Sequence, residues 1–276
     1  MKEFLRINNF NYYSIEIKIN INLVVINMLA NGRTERNREK KIGFIIASLT
    51  GGYFILLFLT PMMMATGSIP ELSGRANRID YATEDGWGSW GNQNHGDNAE
   101  IGHNQEELGF FSWSDLNPIA AFVYAFGDLN CHQKSERSWE INGNQLAVCA
   151  RDVGLFLGLA IGALLWRKKG LNRWTIRDSF LSIFKDEHIE FLYKKDRRML
   201  GMILVISLGA IPIGVDGFTQ LLSPYESTNI VRLITGIGAG FVLSWWSCAA
   251  ISSNPKSFET AELVKLPANA KLVFKD

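Results

Sequence analysis

Apolar positions along this chain gather into four long blocks, residues 42–65, 146–166, 199–222 and 230–251, each set between markedly polar connectors. Each block is about 21 to 24 residues long, enough at about 1.5 Å per residue to cross a hydrocarbon core of about 30 Å. The pattern predicts an all-α, polytopic membrane protein, a bundle of four transmembrane helices. A fifth apolar run, Leu116 to Phe126, is too short to span and opens on Asn117 and Pro118, so it is expected as a short re-entrant or interfacial helix. The resulting plan is an N-terminal segment 1–40, a four-span membrane domain 41–252 with an extracytoplasmic loop 66–115, and a cytoplasmic tail 253–276.

Three connectors carry their own patterns. In the first thirty residues Asn and Ile occur six times each, and Ile15, Ile17, Ile19, Ile21 and Leu23 alternate with polar residues in strand period. A lone strand has no partner beside a helical bundle, so this start is expected to be disordered or mis-assigned, with the working protein beginning near Met28. The loop 66–115 holds the run Gly86, Trp87, Gly88, Ser89, Trp90, Gly91, Asn92 and reads as a flexible lid or tether. His95 and His103 within it are better taken as solvated than as metal ligands. After the second span, Thr175 with Asp178 three residues on caps an apolar stripe of Ile176, Phe180, Phe184, Ile189 and Leu192, which predicts a helix on the inner membrane surface.

Average composition hides these blocks: the chain is 47 % hydrophobic with mean hydropathy +0.04, values a soluble domain can show. Charge orients them. Arg33, Arg36, Arg38, Lys40 and Lys41 precede the first span, Arg167, Lys168, Lys169 and Arg173 follow the second, and Lys194, Lys195, Arg197 and Arg198 precede the third. Placing all three clusters in the cytoplasm puts both termini inside a plasma membrane and leaves outside a loop with nine acids against Arg75 and Arg78. No nucleic-acid partner is expected; the lipid bilayer is.

Residues that break the apolar pattern mark the candidate chemistry. Arg151, Asp152, Asp216 and Arg232 sit inside otherwise apolar spans, and intramembrane charge is costly and usually functional. All four fall near the outer ends of their helices. Pro212, Gly214 and Gly217 are expected to kink or partly unwind the third helix beside Asp216 and Gln220. Glycines at 154, 158 and 162 and at 236 and 240 repeat every four residues, as small-residue seams do, and serve either packing within the chain or a homodimer.

Three motifs in order, CHQKSERSWEINGNQLAVCARDVGLFLG, DGFTQLL and ESTNIVRLITGIGAG, resemble the prokaryotic membrane-protein family called domain of unknown function 2085, over Ala120 to Phe241. The span ending Leu59, Thr60, Pro61 also suits it. The resemblance implies a multi-pass membrane protein and supplies no mechanism. A cysteine commonly stands in that family where this chain has Asp152, so a redox CxxC pair is not expected here.

Three chemistries compete for the site. Cys131, His132, Cys149 and Asp152 carry groups able to ligate zinc, with Asp216 able to complete the set, although neighbours such as Cys131 and His132 cannot easily face one ion. Cys131 and Cys149 also suit a structural disulfide on the oxidising side of the membrane, giving a stapled structural or interaction protein. In the third reading Gln133, Arg137, Arg151, Gln220, Asn229 and Arg232 hold an anionic or lipid headgroup, with Glu136, Asp152 and Asp216 as acid-base candidates, as in a small lipid-modifying enzyme or a solute transporter. No phosphate loop, nucleotide fold or serine nucleophile elbow occurs.

The charge clusters make the topology testable. Cysteine labelling or reporter fusions should place Gly91 outside and Gly170 and Lys256 inside; Gly91 and Gly170 on the same side would overturn the span assignment.

Overall fold

Long helices dominate the computed structural model, which describes residues 36–73, 79–94 and 105–272. In order they are α1 (Asn37–Met63), α2 (Gln105–Leu108), α3 (Pro118–Asn130), α4 (Ala150–Lys169), α5 (Ile176–Leu181), α6 (Asp186–Lys194), α7 (Arg198–Leu222) and α8 (Asn229–Ser252), with a hairpin of β1 (Glu140–Ile141) and β2 (Asn144–Gln145) before α4. The alternating Ile15 to Leu23 stretch, His95 and His103 lie outside the described residues. Among the described residues, α1, α7 and α8 are long and apolar enough to cross a membrane. The α4 helix is charged at both ends, by Arg151 and Asp152 and by Arg167, Lys168 and Lys169, so its uncharged stretch runs only from Val153 to Trp166. It also starts later than the apolar block suggests. Leu146, Ala147 and Val148 precede it as buried, non-helical residues.

Contacts divide the chain into two units. The larger is built from residues 44–164 and 204–245. Its core joins Tyr53 and Leu57 of α1 to Val123 and Tyr124 of α3, to Leu146 and Val148, and to Ile69, Leu72, Tyr81 and Phe111 of the 66–115 segment. That segment is therefore not a tether where it is described: fully burying side chains of this size stabilises by about 1.5 to 3 kcal/mol each. Its glycines permit the packing, since a methyl at Gly91 would meet the Tyr81 ring at 2.6 Å.

Buried amides and carboxylates hold this irregular backbone, because each unpaired buried peptide group costs about 1 to 3 kcal/mol. Asp128 accepts from the backbone N–H of Asp80 (2.9 Å) and Tyr81 (3.0 Å) and from Trp113 Nε1 (3.1 Å). Asn144 accepts from Ile69 N (2.8 Å) and donates to the carbonyls of Pro61 and Ala65, closing the end of α1. Gln145 accepts from Leu72 N (2.7 Å) and donates to Gln133 O (2.8 Å). The hairpin turn that presents both amides is Asn142-Gly143, both at positive φ, the pair a tight two-residue turn demands.

The glycine repeats bring α4 and α8 together inside this unit. A methyl at Gly154, Gly158 or Gly162 would run into the carbonyl oxygens of Leu233, Ile237 and Phe241, and one at Gly236 or Gly240 into those of Arg151 and Leu155. Equal steps along both helices mean that the two run parallel. The α7 helix instead meets α8 in the opposite sense, with Gly209 against Gly238 and Val242 and, further on, Gln220 against Arg232. Despite Pro212, Gly214 and Gly217, α7 continues unbroken to Leu222, so the expected unwinding does not occur. Neither glycine has a neighbour that a methyl would touch, and the residues around Asp216 keep helical backbone.

The smaller unit comprises the described parts of 1–43, 165–203 and 246–276. Here two arginines satisfy helix C-termini. Arg36 donates to the carbonyls of Gly170 (2.9 Å), Lys168 (2.9 Å) and Arg167 (3.2 Å) at the end of α4, and Arg38 to those of Ser252 (2.9 Å) and Ile251 (2.8 Å) at the end of α8. These carbonyls have no intrahelical partner and carry the negative end of the helix dipole. The connector stripe forms two short helices rather than one, α5 capped as expected by Thr175, whose Oγ1 accepts from Asp178 N at 3.1 Å, with Phe180 fully buried and Ile189 of α6 nearly so.

A direct consequence concerns the glycine seam. Gly158→Ala should lower stability by about 1 to 3 kcal/mol through backbone displacement, whereas Gly52→Ala, with nothing within 4 Å of the added methyl, should stay within about 0.5 kcal/mol of the parent. Thermal melts of both variants in one detergent check this; equal melting points would show that the α4–α8 contact is looser than described.

Candidate functional site

Cys131 ends α3 in extended backbone, and Cys149 stands immediately before α4 with Asp152 one turn on. One ligating atom from each of the three lies within 4.8 Å of the other two. Cys149 Sγ donates to Asp152 Oδ2 at 3.1 Å, and the Cys131 sulfur accepts from Cys149 N at 3.1 Å and Gln133 N at 3.5 Å. None of the three cysteines forms a disulfide. The hydrogen bond from Cys149, burial and the Asp152 carboxylate all push the Cys131 thiol well above the usual range. Three ionisable groups thus share one small volume, where forming more than one anion is disfavoured unless a cation is bound among them.

His132 lies outside this cluster and is exposed. Successive side chains on extended backbone point opposite ways, so with Cys131 buried its neighbour turns outward. Gln133 is fully buried and donates to Ala147 O (2.8 Å), a bond that holds the backbone before Cys149 rather than one available to a ligand.

The charged residues of the helices form a second group. Arg151 of α4 pairs directly with Asp216 of α7, whose side chain is only 5 % exposed. The same Asp216 oxygen accepts from Gln220 Nε2 (3.1 Å) and Ser227 Oγ (3.2 Å), while Gln220 Oε1 accepts from Arg232 Nη2 (3.4 Å). Every donor in this chain leads from an arginine toward Asp216, an arrangement in which each bond polarises the next. Arg232 also donates to Asn229 Oδ1 (3.1 Å) and Glu226 Oε2 (2.7 Å), and Glu226 is shared with Arg137 through its other oxygen (2.7 Å). Partial burial alone would raise the Glu226 pKa; Arg137 and Arg232 outweigh it and hold the carboxyl below the usual glutamate range. Lys134, Glu136, Arg137, Glu226, Ser227 and Arg232 line a cavity of about 280 Å³.

The charged positions singled out by sequence thus resolve into two groups joined only through the consecutive residues Arg151 and Asp152. Asp216 is spoken for by Arg151 and does not complete the thiol cluster. Glu226, which bridges Arg137 and Arg232, and Ser227, which links Gln220 to Asp216, escape the sequence reading because they stand in a short polar turn where charge is ordinary; the signal available is their place in the ESTN motif, beside Asn229 and Arg232.

Asp216→Leu should destabilise by about 1 to 3 kcal/mol by leaving the partly buried Arg151 guanidinium unpaired, and Arg151→Met in the same chain should recover most of the loss. A double-mutant cycle of melting in detergent measures this; no recovery would show that Arg151 is solvated or held by other groups.

Comparison with known proteins finds a family model, described as predicted membrane protein DUF2085, matching residues 131–246. An uncharacterized protein of Methanocaldococcus jannaschii is 31 % identical over 128 residues, covering 46 % of this chain and 67 % of its own length. Another uncharacterized protein, of Methanothermobacter thermautotrophicus, is 33 % identical over 114 residues, covering 41 % of this chain and 80 % of its own length. No solved structure gives a significant match. The matched region runs from Cys131 through the thiol cluster, the paired arginines and the α4–α8 seam, and the chain belongs to the DUF2085 family of predicted membrane proteins.

Proposed function

We propose that this protein is a four-span plasma-membrane protein whose extracytoplasmic end binds a divalent transition metal, zinc by preference, through Cys131, Cys149 and Asp152. The observation that carries the reading is the convergence of two sulfurs and a carboxylate oxygen within 4.8 Å. Ligands at about 2.3 Å (sulfur) and 2.0 to 2.2 Å (oxygen) around one tetrahedral ion stand about 3.5 to 3.8 Å apart, so small rotamer changes bring these atoms to a common centre. Backbone N–H groups aimed at the Cys131 sulfur support it further, since such bonds orient and stabilise a thiolate ligand. Three protein ligands leave a coordination position for water or substrate, the pattern of a catalytic rather than a purely structural zinc site.

The topology rests on independent support. The α4 and α8 helices run parallel with α7 opposed, and Arg36 and Arg38 reach the C-terminal ends of α4 and α8, as they do if those ends and the start of α1 share the cytoplasmic side. With α4 as the fourth span, Val153 to Trp166 crosses beside α8 and its charged ends reach the two interfaces. The α3 helix buries Val123 and Tyr124 and exposes Ile119, Phe122 and Leu129, an apolar outer face suited to the membrane interface.

Purified protein should carry about one zinc per chain, lose it on Cys131→Ser, and bind it more tightly as Asp152→Cys, since a third thiolate is a softer ligand. Thiols must shed protons to ligate, and the Cys131 thiol titrates high, so affinity should rise with pH through and beyond the usual thiol range. Metal analysis beside a thiol count decides: two thiols lost under non-reducing conditions with no bound metal would replace this reading with a Cys131–Cys149 disulfide.

A further inference from the structure

The cavity beside the paired arginines has the chemistry of an anion site held shut by one of its own residues. Its lining carries three cations, Lys134, Arg137 and Arg232, against Glu136 and Glu226, with the Ser227 hydroxyl among them. Lys134 and Glu136 pair with each other at 3.4 Å, which leaves the two guanidinium groups facing the single carboxylate of Glu226. That carboxylate places one oxygen on each arginine at 2.7 Å, as a bridging phosphate or carboxylate ligand would.

Exposure separates the parts. The Arg232 side chain is 4 % exposed, with its Nε buried and lacking a hydrogen-bond partner, so a fixed cation keeps a spare donor. Glu226 is 61 % exposed and lies outside the helices, in the turn between α7 and α8, where little fixes its side chain except the arginines themselves. A site with a buried cation and an exposed internal anion is one from which the anion can be displaced. At about 280 Å³ the cavity lies just under the range of about 300 to 1,000 Å³ that encloses drug-sized ligands, and it suits a single phosphate-sized group.

We propose that Arg137 and Arg232 form a binding site for a phosphate group, and that Glu226 occupies it as an internal stand-in that the ligand must displace. The proposal does not depend on metal binding at Cys131, Cys149 and Asp152. A free phosphate ion and the headgroup of an anionic phospholipid present the same chemistry to this site. Binding by either exchanges the two Arg–carboxylate contacts of Glu226 for Arg–phosphate contacts and frees Glu226 into solvent.

The test compares the full chain with Glu226→Gln, Arg137→Gln and the double variant. Inorganic phosphate is titrated in detergent by calorimetry, and nanodiscs of phosphatidylcholine with or without phosphatidylglycerol are followed by phosphorus NMR line broadening. Removing the competing carboxylate should tighten binding about tenfold in Glu226→Gln, and adding Arg137→Gln should abolish that gain. A gain with inorganic phosphate identifies a free anion as the ligand; a gain confined to phosphatidylglycerol discs identifies a lipid headgroup. Affinity in Glu226→Gln equal to or weaker than the parent for both probes, or a gain that survives Arg137→Gln, overturns the proposal. Should Glu226→Gln fail to fold, the parent against Arg137→Gln decides: an equal response to both probes overturns it, and a response lost on substitution upholds it.

Discussion

Helices surrounded by lipid gain nothing by exchanging one apolar neighbour for another, so their association rests on how closely their backbones can approach. In this chain that approach is concentrated on α4 and α8, where five glycines set each helix against the carbonyls of the other. The contact fixes axial register, and register decides which polar residues meet. Gly154 opposite Leu233 and Gly236 opposite Arg151 bring the start of α4 level with the start of α8, and so bring Arg151 within the same network as Arg232. A few atoms absent from glycine side chains thus determine where the charges of this protein lie.

Much of this was legible in the sequence, because long apolar blocks and repeated glycines report interactions between residues near in sequence or equally spaced. The first, third and fourth blocks match α1, α7 and α8 within a few residues. The second block begins before its helix, Ala150–Lys169, since Leu146, Ala147 and Val148 are apolar for a different reason: they pack into an aromatic core outside the helix. Apolarity alone cannot separate burial in lipid from burial in protein. The 66–115 segment was misread by the same reasoning reversed. Its glycines and asparagines resemble those of a loose loop, yet Asn92 donates to Thr83 O (3.0 Å) and Phe111 O (2.8 Å), and Gly88 and Gly91 let Ala82 and Tyr81 close in.

The site divides along a similar line. Cys149 and Asp152 stand three residues apart at the start of α4 and meet through local geometry, whereas the joining of Cys131 to them requires the α3 end and the hairpin, which no spacing rule encodes. Gln133 looked like a ligand-binding residue because it is polar and sits in a motif. Its place is instead with Asn144 and Gln145 as part of the scaffold, where a buried amide serves backbone groups that no regular element satisfies. Motif membership marks residues that matter, and only their partners tell whether they matter for binding or for shape.

Arg36 and Arg38 carry one more implication, for the order in which the protein is made. Arg36 reaches a carbonyl 134 positions ahead of it and Arg38 one 214 positions ahead. A chain leaving the ribosome completes its first helix before either acceptor exists; the Arg36 acceptors arrive with the end of α4, whereas those of Arg38 arrive only when α8 has been synthesised to its end. Docking of Arg38 can therefore be completed only after the last long helix is made. A chain that stops before Ile251 leaves Arg38 without these acceptors, so the start of α1 is completed by the end of α8.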